Sequence, residues 1–212
     1  METAAVFAAS ATERRALAVE LADLTPQQWT TPSLCTGWDV RTVVAHLVAA
    51  LSPAPLPFLA AILRAGGRLH RANDALARQT ARQPTADLVA ALRQRVDSRA
   101  SPPVTGPRGP LTDVLVHAGD IRLPLGLAHE PADDAIRMAL DFVTDGRPVG
   151  FVPRGRLAAL KLMAEDLDSS WGDGEVVAGT GIDLLMAACG RTAVLQRLHG
   201  DGVRVLAHRL TT

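Results

Sequence analysis

His46, Asp113 and His117 are the residues of this chain whose types and spacing could do chemistry together. Asp113 and His117 stand four positions apart in Leu111-Thr112-Asp113-Val114-Leu115-Val116-His117. Residues at that spacing share one helix face, so a carboxylate oxygen and an imidazole nitrogen can aim at one point. His46, in Val40-Arg41-Thr42-Val43-Val44-Ala45-His46-Leu47, would join them from a second helix. Two imidazoles and a carboxylate with no fourth protein ligand make a donor set with open positions, the arrangement of catalytic zinc. Zinc is the expected divalent metal by ligand type; nickel, iron and cobalt accept the same donors. Such an ion lowers the pKa of a bound thiol or water and so supplies a strong nucleophile at neutral pH.

Each residue taken alone has a plainer reading. A histidine on an alanine and valine face is often a satisfied core residue, and an aspartate near a helix start is favourable there for its charge alone. Asp120, three residues after His117, is either a competing carboxylate or a partner that orients a ligand imidazole. Arg122 and Arg191 are candidates to bind substrate or cofactor carboxylates by bidentate contacts, and salt-bridging is the commoner fate of arginine. Cys35 reads as a structural thiol, and Trp29 and Trp38 as loop anchors packing on the helices. His70, His129, His199 and His208 share no spacing and receive no role.

The 212 residues are enough for one large or two small domains, and Lys plus Arg equals Asp plus Glu at 22 each. An even balance lowers the expectation of a nucleic-acid or anionic-membrane partner. Glu13, Arg14, Arg15 and Glu20 interrupt the N-terminus, which therefore does not read as a secretory signal. The run from Leu56 to Leu63 is too short to span a bilayer. A soluble cytoplasmic protein is expected, with a small-molecule partner and no membrane.

Helices must position the candidate residues. Val6, Phe7, Leu17, Leu21 and Leu24 amid alanines predict an amphipathic helix over 3–24, ended by Thr25-Pro26. Gln27 to Gly37 reads as a loop, after which Asp39 has the chemistry of an N-cap for the His46 helix. Prolines from Pro53 to Pro57 break that helix, and 56–83 is helical in character with Gly66-Gly67 as an interruption. A further helix is expected from Thr85, as cap, through Leu88, Leu92 and Val96. Pro110 suits the first turn of the Asp113/His117 helix, which should end near Pro124 or Gly126. Asp133-Asp134 open a helix to about Asp145. Beyond it, 156–167, 175–177 and 203–206 read as strands, with Gly172-Asp173-Gly174 a turn, and 182–188 and 193–198 as helices. The fold class is therefore α+β, with a helical bundle over 1–148 and a small α+β domain over 149–212.

With these residues in view, the chain resembles the mycothiol-dependent maleylpyruvate isomerase family, whose N-terminal part is a DinB-like up-and-down bundle. The resemblance rests on 29–41, Trp-Thr-Thr-Pro-Ser-Leu-Cys-Thr-Gly-Trp-Asp-Val-Arg, followed by Val43-Val44-Ala45-His46-Leu47. A second block runs from Asp113 through Gly126, and a third comprises Trp171-Gly172-Asp173-Gly174, Cys189-Gly190-Arg191 and Gly200-Asp201-Gly202-Val203. The third is similar to the family's C-terminal, sterol-carrier-like domain. The resemblance implies that His46, Asp113 and His117 hold the metal and that mycothiol binds there as thiolate and adds to an electrophilic small molecule. Isomerisation and S-transfer both follow from that chemistry. In the isomerase itself the carboxylate position looks like glutamate, so Asp113 shortens the reach by one methylene. A non-catalytic binding or regulatory protein on the same fold is the first alternative, and a metal-dependent hydrolase using water is the second.

Overall fold

The structure, a computed structural model, describes residues 2–52, 69–145 and 148–211. The expected helix over 56–83 is met where it is described, by Leu69–Thr80; its earlier part lies outside the described residues. Packing divides the chain into two compact units, one of residues 1–101 and 113–129, the other of 102–112 and 130–212.

The first unit is helical. Helix α1 (Glu2–Glu20) runs into a 3-10 turn at Leu21–Asp23 and is followed by a four-residue helix α2 (Pro26–Trp29). The sequence reads Gln27 to Gly37 as loop, but Thr25 and Gln28 form a reciprocal capping box that, with Pro26 in the first turn, closes one helical turn. Next come α3 (Val40–Ala50), α4 (Leu69–Thr80), α5 (Thr85–Gln94) and α6 (Arg108–Arg122). The last runs from the second unit into the first, with Asp113 onward in the first. Asp39 caps α3 as expected, its Oδ1 accepting from the Thr42 amide at 2.8 Å. Thr85 does not cap α5; Pro84 stands at that position and offers no side-chain acceptor.

Helix α3 carries Val40, Val43, Val44 and Val48, residues whose stiff side chains lower helix propensity. All four are buried, as are Ala45 and Leu47, so tertiary burial rather than propensity holds it. It packs on α4 and α5, while α1 packs on α5. The core these helices share includes Leu17, Leu21, Trp29, Leu88, Leu92 and Ile121. Arg95 donates to the Val48 carbonyl at 2.7 Å and Ser98 to that of Leu51 at 3.3 Å, satisfying carbonyls that the end of α3 leaves unpaired.

The second unit combines α7 (Asp133–Asp145) with a three-stranded sheet and helices α8 (Gly181–Ala188) and α9 (Gly202–Thr211). Helix α7 packs on α8, so by packing it joins the C-terminal elements although it precedes the expected boundary at residue 148. Strands β1 (Leu160–Ala164), β2 (Ser169–Trp171) and β3 (Glu175–Gly179) lie in the order β2-β1-β3, with β2 antiparallel and β3 parallel to β1. The expected strand at 203–206 is a correction: these residues are helical within α9. The alternation Val203-Arg204-Val205-Leu206 fits a two-residue period, but Gly202 and Leu206 are the buried pair, four apart on one helix face.

The turn expected at Gly172-Asp173-Gly174 is present and must carry the chain from β2 past β1 to β3. Gly172 and Gly174 take φ of +74° and +136°, and a Cβ on Gly174 would lie 2.0 Å from the Ala159 carbonyl oxygen. No L-residue fits there without moving the start of β1. Gly174→Ala is expected to destabilise the fold by about 2–3 kcal/mol, read as a lower midpoint in chemical denaturation. Gly155→Ala serves as the comparison, because its site has a positive φ but open space around it.

Candidate metal centre

Helix α3 brings His46 and helix α6 brings Asp113 and His117 to one place. From Val114 to Arg122 every residue of α6 is buried, and Asp113, at the edge of that stretch, keeps a side chain 21% exposed. The His46 and His117 side chains are 12% and 11% exposed. Oδ1 of Asp113 lies 3.5 Å from Nε2 of His46 and 3.5 Å from Nε2 of His117. One ligand atom from each residue falls within 4.8 Å of those of the others. A distance of 3.5 Å is long for an imidazole–carboxylate hydrogen bond. It matches the edge of a tetrahedron about 3.3–3.5 Å on a side, which metal–ligand bonds of about 2.0–2.1 Å imply. The Asp113 oxygen thus stands from each imidazole at a ligand–ligand separation that a small divalent cation accepts.

The surroundings prepare the three for that task. Burial alone would raise the Asp113 carboxyl. The charges the His46 and His117 imidazoles can carry, together with the Arg14 guanidinium, outweigh it and hold the group at about 2, so the carboxylate is ionised throughout the physiological range. Asp120, fully buried, places Oδ2 2.9 Å from Nδ1 of His117. With that nitrogen protonated and donating to the carboxylate, Nε2 keeps its lone pair on the side of Asp113. Asp120 thus meets His117 on the nitrogen away from Asp113 and is not one of the three residues whose ligand atoms converge. The indole of Trp38 packs on both imidazoles, 5.3 Å from the His46 ring centre and 6.4 Å from that of His117.

Two residues that the sequence reading left without a role stand in this unit. Arg14 is 1% exposed on α1 and donates Nη1 to the carbonyls of Val96 and Ser98 at 3.2 and 2.9 Å. Burial lowers its pKa, and Asp113 and Asp97 counter the shift. One of two adjacent arginines in an alanine-rich helix, it carries no local signal of burial. His129 is likewise buried, with Nδ1 facing Arg122 Nη1 at 3.1 Å.

Arg122 forms a two-pronged ion pair with Glu20, at 2.8 and 2.9 Å, besides meeting His129. It is 4% exposed, with its donors turned to Glu20 and His129. Arg191, half-buried in the second unit, donates to the Cys189 carbonyl at 2.7 Å. Cys35 is half-buried in the loop that carries Trp38, and Trp29 is a core residue.

Comparison with known proteins supplies the wider frame. Residues 10–102 match the family model for the mycothiol maleylpyruvate isomerase N-terminal domain, a span that contains His46 and ends before α6. Two solved structures are similar in fold: a crystal structure of the mycothiol-dependent maleylpyruvate isomerase, with a TM-score of 0.63, and one of a histidine-to-alanine mutant of it, at 0.61. Each is 14% identical, and each alignment covers 95% of this chain and 93% of that one. No curated protein matches. Residues 10–102 are thus similar to the mycothiol maleylpyruvate isomerase N-terminal domain, and the chain has the fold of the mycothiol-dependent maleylpyruvate isomerase over nearly its whole length. No helix of the described residues is long and apolar enough to cross a membrane.

Burial, reinforced by the Arg122 charge, lowers the His129 imidazole from 6.5 to about 4. Because the unfolded chain takes up this proton first, the stability contribution is whole above pH 6.5 and is lost as pH falls from there through about 4. The loss over that interval amounts to about 3 kcal/mol. His129→Gln should flatten the pH dependence of the unfolding free energy between those limits; an unchanged slope would mean that His129 is not held neutral by the fold.

Proposed function

We propose that this chain is a divalent-metal-dependent enzyme that uses a low-molecular-weight thiol, mycothiol, to isomerise a small unsaturated substrate. One observation carries the proposal: a carboxylate oxygen stands 3.5 Å from each of two imidazole nitrogens, and the three ligand atoms lie within 4.8 Å of one another on a partly open face. His46, Asp113 and His117 would hold the ion, and zinc is the ion their chemistry favours. The chemistry supplied by such an ion is Lewis acidity, which lowers the pKa of a thiol at an open position.

The chain's own residues do the rest. Asp113 stays ionised and offsets the ion's charge, while Asp120 holds the proton on Nδ1 of His117 so that Nε2 remains a donor. Mycothiol held as thiolate would supply a nucleophile for reversible addition to a double bond conjugated to a carbonyl, which would allow rotation about that bond before the thiol is lost; retention of the thiol with uptake of a proton would make the outcome S-transfer. Isomerisation leads because the similar solved structures are described as an isomerase. Arg191 is proposed as a carboxylate-binding residue of the second unit. A cytoplasmic location accords with a reduced thiol cofactor.

Elemental analysis is expected to find about one metal per chain, lost in His117→Ala with the helical circular dichroism retained. The metal-loaded protein should convert maleylpyruvate to its trans isomer when mycothiol is supplied, and the rate should fall at least about 100-fold without thiol or metal. Release of a stable thiol adduct would move the reaction to S-transfer, and hydrolysis of esters without thiol would move it to the hydrolase class. Thiol binding without turnover on any electrophile would leave a binding protein, and unchanged metal content in His117→Ala would sink the metal assignment.

A further inference from the structure

We propose that Trp38 is a positioning residue for both ligand imidazoles and that Asp74 and Arg78 lock it in place, so that metal affinity depends on a clamp on helix α4. The proposal rests on reading His46, Asp113 and His117 as a metal site, and it extends that reading to residues with no metal-binding chemistry of their own.

An imidazole rotates about a broad torsion, so a ligand ring has to be held by what surrounds it. His117 is held by Asp120. Among the described residues, no such carboxylate meets the second nitrogen of His46. Instead the Trp38 indole lies 5.3 Å from the His46 ring, and the His117 ring stands edge-on to that of His46 at 4.8 Å. The same indole stacks on His117 at 6.4 Å with 27° between the planes. Trp38 is therefore an aromatic neighbour that the two rings share, so its position bears on theirs.

Trp38 is itself fixed by a closed circuit. Its Nε1 donates to Asp74 Oδ1 at 2.7 Å, a short contact of the kind a charged acceptor makes. Arg78, one turn further along α4, donates Nε to both oxygens of Asp74 at 2.9 and 3.1 Å. Arg78 Nη2 donates to the carbonyl of Gly37 at 3.0 Å, the residue directly before Trp38. The circuit thus holds the indole by its ring nitrogen and by its own backbone. The Asp74 and Arg78 side chains are 44% and 54% exposed, so as a surface pair they would contribute little to stability. Their joint hold on one indole and its preceding carbonyl gives them a different use.

The same loop reaches both ligand helices. Asp39, next after Trp38, caps α3. The amide of Leu34 donates to the carbonyl of Asp120 on α6 at 3.2 Å. Ser33 donates its amide and its Oγ to the Trp38 carbonyl at 3.0 and 2.9 Å. A shift of Trp38 would therefore move the rings directly and the ligand helices through their shared loop.

The test compares wild-type protein with Trp38→Leu, Trp38→Phe, Asp74→Asn and, as control, Trp171→Phe. Zinc affinity is read by competition with a chromophoric chelator, cobalt-site geometry by visible absorption, folding by circular dichroism, and ring placement by imidazole proton shifts of the metal-free protein. Trp38→Leu should weaken zinc binding about 10–100-fold, the range for partners that orient ligands. It should also alter the cobalt spectrum and remove the ring-current shift of the His46 and His117 protons. Trp38→Phe, which keeps an aromatic face and loses the donor, should fall between, with Asp74→Asn close to it and Trp171→Phe at the wild-type value. Wild-type zinc affinity and cobalt spectrum in Trp38→Leu would overturn this proposal alone, and if that variant does not fold, the same result in Trp38→Phe and Asp74→Asn would do so. A wild-type protein that binds neither metal would overturn the metal reading, and this proposal with it.

Discussion

Two imidazoles and a carboxylate must be held together, mostly out of water, against the apolar interior of a helical bundle, and much else in the first unit answers to that demand. Withdrawing an ionised carboxylate from solvent costs several kcal/mol unless partners compensate. The partners are within reach: His46 and His117 at 3.5 Å, with Arg14 buried nearby on α1. Each fully buried valine or leucine contributes about 1.5–3 kcal/mol, and the many such side chains in this core outweigh the cost of one small polar cluster. Stability and site chemistry thus draw on different faces of the same helices.

Rigidity follows from how those faces are built. Asp113 and His117 lie one turn apart on α6, so their separation is set by helix geometry. His46 depends on the register of α3 against α6, which loop 30–39 helps to hold by capping α3 through Asp39 and bonding to α6 through Leu34. Asp113 meets both imidazoles from that position, its Oδ1 standing 3.5 Å from each Nε2.

The buried cations show a second use of charge. Arg14 closes carbonyls at Val96 and Ser98, and Arg122 joins Glu20 to His129. Both arginines stabilise the bundle by ending otherwise unpaired polar groups, the use to which a fork of five donors is suited.

What could be read from the sequence was whatever short-range geometry controls: the four-residue spacing of Asp113 and His117, the Asp39 cap, Pro110 in the first turn of α6, the turn at Gly172-Asp173-Gly174, and the α+β class. Where local signals competed, the reading went astray, as with Thr85 against Pro84 as cap and with 203–206, whose two-residue alternation gave way to helical burial of Gly202 and Leu206. The tertiary structure alone decided that His46 meets the pair on α6, that α7 packs with the C-terminal elements, that Glu20 takes Arg122 and that Asp74 takes the Trp38 indole. Those pairings join residues far apart in the chain, and helix propensity, capping and periodicity act over a few residues. The register of one packed helix against another is set only when all the core side chains find their places together.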